Sequence, residues 1–322
     1  MKSLHELAFL LRESESIVIT GHKNPDGDAV GACLAMAMGL AGAGKRPLVV
    51  LEEYNEKFLI IPGREYICKD IGRAAQSDAI IALDCAGLEI MTDSGKRLWS
   101  AFENTFNIDH HVSNKYYARH NFVADSASSA CELVFDALNP FVAIDERIGT
   151  ALYAGMVYDT GGFRHSSTSP ETLQKAARLM ALGVPFSKIY NELMFSHSLL
   201  EAKIFARALA RLVVEPGYPI AVSYITPEDF AQTGALQKDV DGVVAYMANL
   251  REAQVSLLAY EKEKNLTKCS LRSGCLDVAQ IAARFGGGGH RLAAGCNFDG
   301  AASQALGAIL PIIKSEMRIN GQ

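Results

Sequence analysis

Residues 21–36 read GHKNPDGDAVGACLAM and place His22, Asp26 and Asp28 within seven positions, directly behind the apolar run Ile17-Val18-Ile19. The same juxtaposition recurs along the chain. Asp84 closes the apolar run of IIALDCAG, Asp109-His110-His111 close that of NIDHHVSN, and Asp159 in GMVYDTGGF follows a helical pattern and precedes paired glycines. Carboxylates joined by neutral imidazole, without thiolate, suit borderline-hard divalent cations such as manganese, magnesium or iron. Asp26, Asp28, Asp84 and Asp159 carry four negative charges, which two divalent ions would neutralise. A pair of such ions roughly 3.5–4 Å apart can activate water and clamp a phosphoryl group. Gly27, between two of the acids, is expected to adopt backbone angles that let each face a different ion.

Each residue has a plainer explanation when taken alone. Asn24-Pro25-Asp26-Gly27 is a strong turn sequence, and Asp28 could simply cap a helix. An Asp at a strand end is usually a turn, and adjacent histidines usually sit on the surface. Directly behind Asp109, however, the two histidines gain a carboxylate that can orient them. Turns and caps do not account for four such polar stops on one edge.

The elements that must carry these residues alternate. Strand-like runs at 16–20, 47–51, 79–83 and 105–108 are interleaved with helical patterns that include 29–40 and 129–138. That order predicts βαβ units and a mainly parallel sheet with helices on both faces, its carboxyl edge lined by the polar residues. Ser129-Ala-Cys-Glu132 has the form of a capping box, and Ser169-Pro170-Glu171 places a cap, a first-turn proline and an acid in order. A helical stretch at 185–213 reads as a connector. A second α/β region follows, with strands expected at 220–225, 254–260 and 268–271 and helices at 227–232, 242–250, 278–284 and 302–317.

The chain of 322 residues is 49% hydrophobic and 21% charged, which fits two soluble domains with sizeable cores. No apolar run is long enough to span a bilayer, and the first sixteen residues lack the build of a secretory signal. A cytoplasmic protein that does not contact membrane is the expectation. The seven cysteines are odd in number and form no Cys-x-x-Cys pair; Cys33, Cys85 and Cys131 read as small buried hydrophobes. A net charge of −5 excludes the basic footprint of a protein that tracks long nucleic acid.

HKNPDGDAVGA, LDCAG, DHH and YDTGGFRHSST, in this order, resemble the DHH phosphoesterase family over nearly the whole chain. SLRSGCLDVAQIAARFGGGGHRLAAG, residues 270–295, resembles its DHH-associated domain. The two-domain length and the Gly-His ending are most similar to oligoribonucleases (nano-RNases) of the NrnA type. The resemblance implies a catalytic domain at 1–190, a helical linker at 191–214 and a smaller substrate-binding domain with a mixed sheet at 215–322, with the active site in the cleft between them. It implies two Mn2+ ions, with Mg2+ or another divalent cation as substitutes. One ion would take His22, Asp26 and Asp84, and the other Asp28, Asp84, His110 and Asp159. His111 would face the substrate or leaving group, with Asp109 behind the histidines.

The same resemblance assigns substrate contacts to Arg272, Ser273, Arg284, Gly287, Gly288, Gly289 and His290, where glycine amides and cations can approach an anion. Arg164 is a further candidate. The implied activity is hydrolysis of short oligoribonucleotides, including pApA, and of 3′-phosphoadenosine 5′-phosphate, by a chain that forms homodimers. Cyclic di-AMP hydrolysis, manganese-dependent pyrophosphate hydrolysis and nucleotide sensing without turnover are the alternatives.

Overall fold

The structure, a computed structural model, describes residues 4–263 and 265–319. The chain divides into two compact units, Met1–Ser196 and His197–Gln322. The first contains, in chain order, α1 (Leu7–Leu10), β1 (Ser16–Thr20), α2 (Gly27–Gly42), β2 (Arg46–Val50), α3 (Ile71–Ala74), β3 (Ala79–Leu83), α4 (Asp93–Trp99), β4 (Thr105–Asp109), β5 (His120–Val123), α5 (Ala130–Leu138), α6 (Glu146–Asp159), α7 (Pro170–Ala181) and α8 (Phe186–Met194).

Its five strands are parallel throughout and ordered β2-β1-β3-β4-β5. Successive side chains point to opposite faces. Ile17, Ile19, Ile81 and Leu83 enter the cluster built with α2, α5 and α6, whereas Val18, Ile80 and Ala82 pack with Ala74, Leu98 and Trp99. Helices therefore cover both faces, as the continuous apolar runs require. Because β1 lies between β2 and β3, the chain order reverses there. The crevice at such a switch point opens at the carboxyl ends of the strands. β4 runs one residue past the expected stretch, to Asp109, and β5 is a strand that the sequence reading missed.

Helix α2 is buried from Gly27 to Leu40, and missing side chains let α6 approach it. A Cβ on Gly31 would lie 2.6 Å from the Ala151 carbonyl oxygen. One on Gly155 would lie 2.2 Å from Cys131 Sγ and 2.8 Å from Asp28 Oδ1. Gly27 corrects an expectation. It sits in the first turn of α2 without positive φ, and its role is steric, since a Cβ there would lie 2.6 Å from the Tyr158 ring.

The caps follow the sequence with one departure. Ser129 Oγ accepts from Glu132 N at 3.1 Å. The Glu132 carboxylate does not return to Ser129, because the buried acid is taken by Ser128, Thr172 and Lys175. Ser169 forms a complete box with Thr172, with Pro170 in the first turn of α7.

The second unit comprises α9 (Leu199–Ala210), β6 (Val213–Val214), β7 (Ile220–Ile225), α10 (Pro227–Thr233), α11 (Asp241–Met247), β8 (Val255–Glu263), β9 (Leu266–Ser273), α12 (Val278–Ala283), β10 (Gly288–His290), β11 (Ala293–Asp299) and α13 (Ala302–Ile319). Its six strands are ordered β10-β11-β9-β8-β7-β6, and the pairing is antiparallel except between β7 and β8. Ile281, Ile309, Ile313 and Met317 pack in one cluster, and Ile204, Ala208, Val243 and Met247 in another. The helical stretch at 185–213 is two helices. Ile189 and Leu193 of α8 belong to the first unit's core, and α9, restarted by a capping box at Ser198, belongs to the second. Among the described residues, no helix is long and apolar enough to cross a membrane.

The glycine run leads into a strand, with Gly288 and Gly289 in β10 and Gly286 and Gly287 before it. Gly287 has no room for a Cβ, which would lie 2.2 Å from the Gly295 carbonyl oxygen; at Gly289, with φ +144°, it would lie 2.6 Å from that of Ala293. Gly288 faces open space.

Candidate metal centre

Four segments of the first unit converge at the carboxyl edge of its sheet. Behind β1, Asp26 is the N-cap of α2, and its Oδ1 accepts from Asp28 N at 2.9 Å and Ala29 N at 3.1 Å. His22 shares a hydrogen bond between Nδ1 and the Lys23 carbonyl at 2.7 Å. That bond fixes the ring so that Nε2 faces Asp84 Oδ2 at 3.5 Å and Asp26 Oδ1 at 3.8 Å.

Asp28 is fully buried and points toward the start of α5, where Ala130 N and Cys131 N donate to it at 2.6 and 2.9 Å. A helix N-terminus favours a carboxylate through its unpaired amides and its dipole. Behind β3, Asp84 takes a φ of +51° while its N–H still donates to the Ile108 carbonyl. Non-glycine residues seldom enter this left-handed region, and such strained residues cluster at functional sites.

His110 follows β4. Its Nε2 lies 3.5 Å from Asp84 Oδ1, 3.6 Å from Asp159 Oδ2 and 3.9 Å from Asp28 Oδ2. Asp159 arrives at the end of α6 and is followed by a turn in which Gly161, Gly162 and Phe163 all have positive φ. His111 turns to the buried Asp109, whose Oδ1 is 2.7 Å from His111 Nδ1.

The donor atoms form three overlapping groups, each within 4.8 Å: His22, Asp26 and Asp84; Asp28, His110 and Asp159; and Asp84, His110 and His111. Asp84 directs one oxygen toward the His22 side and the other toward the His110 side. Among the described residues, its Oδ1 is buried without a hydrogen-bond partner. A buried carboxylate oxygen without a hydrogen bond, set among imidazole and carboxylate donors, is chemistry that a divalent cation satisfies. The residues therefore fit a metal ion.

The charges press in the same direction. Burial works against charge on His22, but Asp26 and Asp84 raise it to about 11. His110 is likewise raised against its burial, to about 10, by Asp84, Asp28 and Asp159. Burial lifts Asp159 to about 6, opposed by His110 and reinforced by Asp84 and Asp26. Burial also pushes Asp28 well up, with the Asp84 and Asp159 charges adding to it. Burial opposes ionisation of Asp84, yet His110 and His22 hold it below the usual carboxylate range. So many acids in one buried cluster stay charged together only with cations among them, protons or metal.

Several contributors escaped the sequence reading. Asn114 Nδ2 donates to Asp109 Oδ2 at 2.6 Å and to Asn107 Oδ1 at 2.8 Å, so the carboxylate behind His111 is held from its other side. Its signal was a polar side chain five residues after Asp109. His165 Nδ1 lies 3.0 Å from the Asp159 carbonyl and holds the turn after α6. Arg164, in that turn, is exposed.

The substrate candidates of the second unit lie around β9, β10 and α12. Arg272 is on β9 opposite Ala293, and one of its guanidinium nitrogens donates to the Leu271 carbonyl at 2.9 Å. Ser273 Oγ accepts from Cys275 N and Leu276 N, at 3.1 and 2.8 Å. Arg284, at the end of α12, is paired with Glu316 at 2.5 Å. Gly288 and Gly289 lie in β10 and Gly287 immediately precedes it; His290 closes the strand, and its side chain lies outside the described residues.

Comparison with known proteins agrees with this architecture. Residues 16–159 match the DHH family, N-terminal domain, and residues 217–318 match the DHHA1 domain. The "Bifunctional oligoribonuclease and PAP phosphatase NrnA" of Thermus thermophilus is 28% identical over 306 residues, covering 94% of this chain and 90% of that protein. The "Probable bifunctional oligoribonuclease and PAP phosphatase NrnA" of Streptococcus mutans is 26% identical over 297 residues, covering 89% and 91%. The crystal structure of an exopolyphosphatase-related protein from Bacteroides fragilis shares the fold, with a TM-score of 0.91 at 24% identity over 99% of this chain and 97% of that one. With both matches in order and this set of acids and histidines at one sheet edge, the chain carries an N-terminal domain of the DHH family followed by a DHHA1 domain.

Proposed function

We propose that the protein is a two-cation phosphodiesterase that cleaves short oligoribonucleotides such as pApA to 5′-mononucleotides and removes the 3′-phosphate of 3′-phosphoadenosine 5′-phosphate. The observation that carries this reading is Asp84, with one oxygen turned to His22 and the other to His110. The relatives named as oligoribonuclease and PAP phosphatase, matched over about nine-tenths of the chain, support the substrate class.

His22, Asp26 and Asp84 would hold one ion, and Asp28, Asp84, His110 and Asp159 the other, both manganese by preference. Bound there, the ions would activate water and neutralise charge on the phosphoryl oxygens. The remaining work falls to the chain. The hydrogen bond to Asp109 raises the pKa of His111, with burial opposing it and Asp84 adding to it, which favours the protonated ring. With Nδ1 engaged by Asp109, Nε2 is the nitrogen that would give a proton to the departing 3′-oxygen. Asp109 and Asn114 would fix the angle of that ring.

In this reading residues 1–190 form the catalytic domain, 191–214 the connector and 215–322 the substrate domain. Arg272, the amides around Gly287–Gly289, His290 and Ser273 would receive the 5′-phosphate and base, with Arg284 shared with Glu316 and Arg164 as an added phosphate contact. A dinucleotide and a 3′-phosphorylated adenosine nucleotide present the same pair of groups, a 5′-phosphate and a 3′-phosphoryl, so one site would serve both. The reading takes the chain as a cytoplasmic homodimer whose net charge of −5 disfavours long nucleic acid.

The test is turnover of pApA, 3′-phosphoadenosine 5′-phosphate, cyclic di-AMP and pyrophosphate with Mn2+, with Mg2+ and with chelator. Manganese-dependent release of AMP from the first two supports the proposal. Hydrolysis of pyrophosphate alone, or binding without turnover, overturns it.

A further inference from the structure

Cys269 on β9 and Cys296 on β11 stand directly opposite each other in an antiparallel ladder. Opposed residues share a face, and both thiols lie free in the second unit's core, at 0% and 5% exposure. Ser273 N donates to the Leu292 carbonyl at one end of this ladder, and Gly300 N to the Asn265 carbonyl at the other. Alternation between these ends makes Cys269–Cys296 a hydrogen-bonded pair, with Cα atoms about 5.5 Å apart. A disulfide spans about 4.4–6.8 Å between Cα atoms, so the bridge is within reach. The Cβ atoms of such a pair start roughly 5 Å apart, further than the about 3.5–4.5 Å of a relaxed bridge. Closure must draw the strands together, and strained disulfides are the readily reduced ones.

The glycine strand has no slack to absorb that movement. A Cβ on Gly287 would lie 2.5 Å from Cys296 Cβ and 2.7 Å from Cys296 Cα. β10, which continues from Gly287, is a three-residue edge strand paired with β11.

We propose that Cys269 and Cys296 form a reversible dithiol, oxidised by peroxide, whose closure displaces the glycine strand. The Cys296 sulfur attacks one oxygen of hydrogen peroxide, breaking the O–O bond and leaving a sulfenic acid and one water. The Cys269 sulfur then attacks Cys296 sulfur, the S–O bond breaks, and a second water leaves. Two thiols lose two electrons and two protons while one peroxide is reduced to two waters. A hydrogen bond from Cys269 holds the Cys296 thiol below its ordinary value against burial, which suits Cys296 to the first attack.

The consequence for catalysis rests on the reading above, in which Gly287–Gly289 receives substrate phosphate. The experiment treats the full-length protein with peroxide, alkylates it and digests it for mass spectrometry, with amide exchange followed in parallel. A linked peptide pair containing Cys269 and Cys296, lighter by two hydrogen atoms, should appear, revert with dithiothreitol and be absent in Cys269→Ala and Cys296→Ala. Exchange at 286–291 should rise on oxidation in the wild type and not in the variants, and KM for pApA should rise several-fold. Both thiols remaining open to alkylation would overturn the dithiol. A linked pair with unchanged exchange at 286–291 would overturn its coupling to the glycine strand. Failure of the reduced protein to cleave pApA would count against the phosphodiesterase reading alone, since the peptide and exchange results do not depend on turnover.

Discussion

Asp84 is the residue on which the centre turns. It is 2% exposed, backbone-strained and, among the described residues, without a hydrogen bond at one oxygen. Asp84→Asn removes the charge shared by two of the three donor groups at nearly constant volume. Removing one preorganised electrostatic partner typically costs about 10²–10³-fold in rate, and a loss of at least that size in manganese-dependent cleavage of pApA is expected, measured by steady-state kinetics. Asp109→Asn tests a different role. It should lower kcat by about 10–100-fold, in line with other outer-sphere partners of histidine, while the number of bound ions is unchanged. Equal loss of metal would show that Asp109 supports the donor cluster rather than His111.

The histidines also set a pH dependence. A folded-state pKa raised above the ordinary 6.5, as for His22 and His110, contributes stability that is fully present below about 6.5 and lost as pH rises through about 11 and 10. Asp159, raised to about 6, binds its proton more tightly when folded, so its contribution falls as pH rises through that value. Each of these protons must leave before the side chain ligates metal. Mn2+ affinity should therefore climb from pH 6 upward with net proton release, read by calorimetry in buffers of differing ionisation enthalpy. Affinity that is flat with pH would contradict the arrangement.

At the scale of elements, the centre depends on how closely α6 approaches α2 and α5. Gly155→Ala should destabilise the protein by about 1–3 kcal/mol through overpacking and weaken metal binding, because its Cβ would press on both Cys131 and Asp28. Gly307→Ala in α13 is the control. It has open space around it and should be neutral or stabilising by up to about 1 kcal/mol. Denaturant titrations of both variants check the pair.

The elements that position the metal donors were readable because their signals are local. Apolar runs ended by Asp or His mark β1, β3 and β4, and α2 and α6 follow from their helical patterns. What stayed hidden depends on contacts distant in sequence. β5 is only four residues long and reads as a strand through its pairing with β4. Gly27 and Gly287 look like loop glycines until Tyr158 and Gly295 arrive beside them. The Arg284–Glu316 pair joins positions 32 residues apart that no local pattern links.

On the scale of the whole molecule, one tryptophan serves as a reporter, since Trp99 is the chain's single tryptophan and lies in the first unit. A ligand bound only by the folded state adds about 2.7 kcal/mol of stability at a hundred times its Kd. Mn2+ should raise the midpoint of the Trp99 fluorescence transition, and chelator should return it. The most direct measurement is anomalous diffraction at the manganese edge from crystals grown with Mn2+. Two peaks are expected, one among His22, Asp26 and Asp84 and one among Asp28, Asp84, His110 and Asp159, roughly 3.5–4 Å apart. A single peak, or manganese bound away from Asp84, would contradict the two-cation centre.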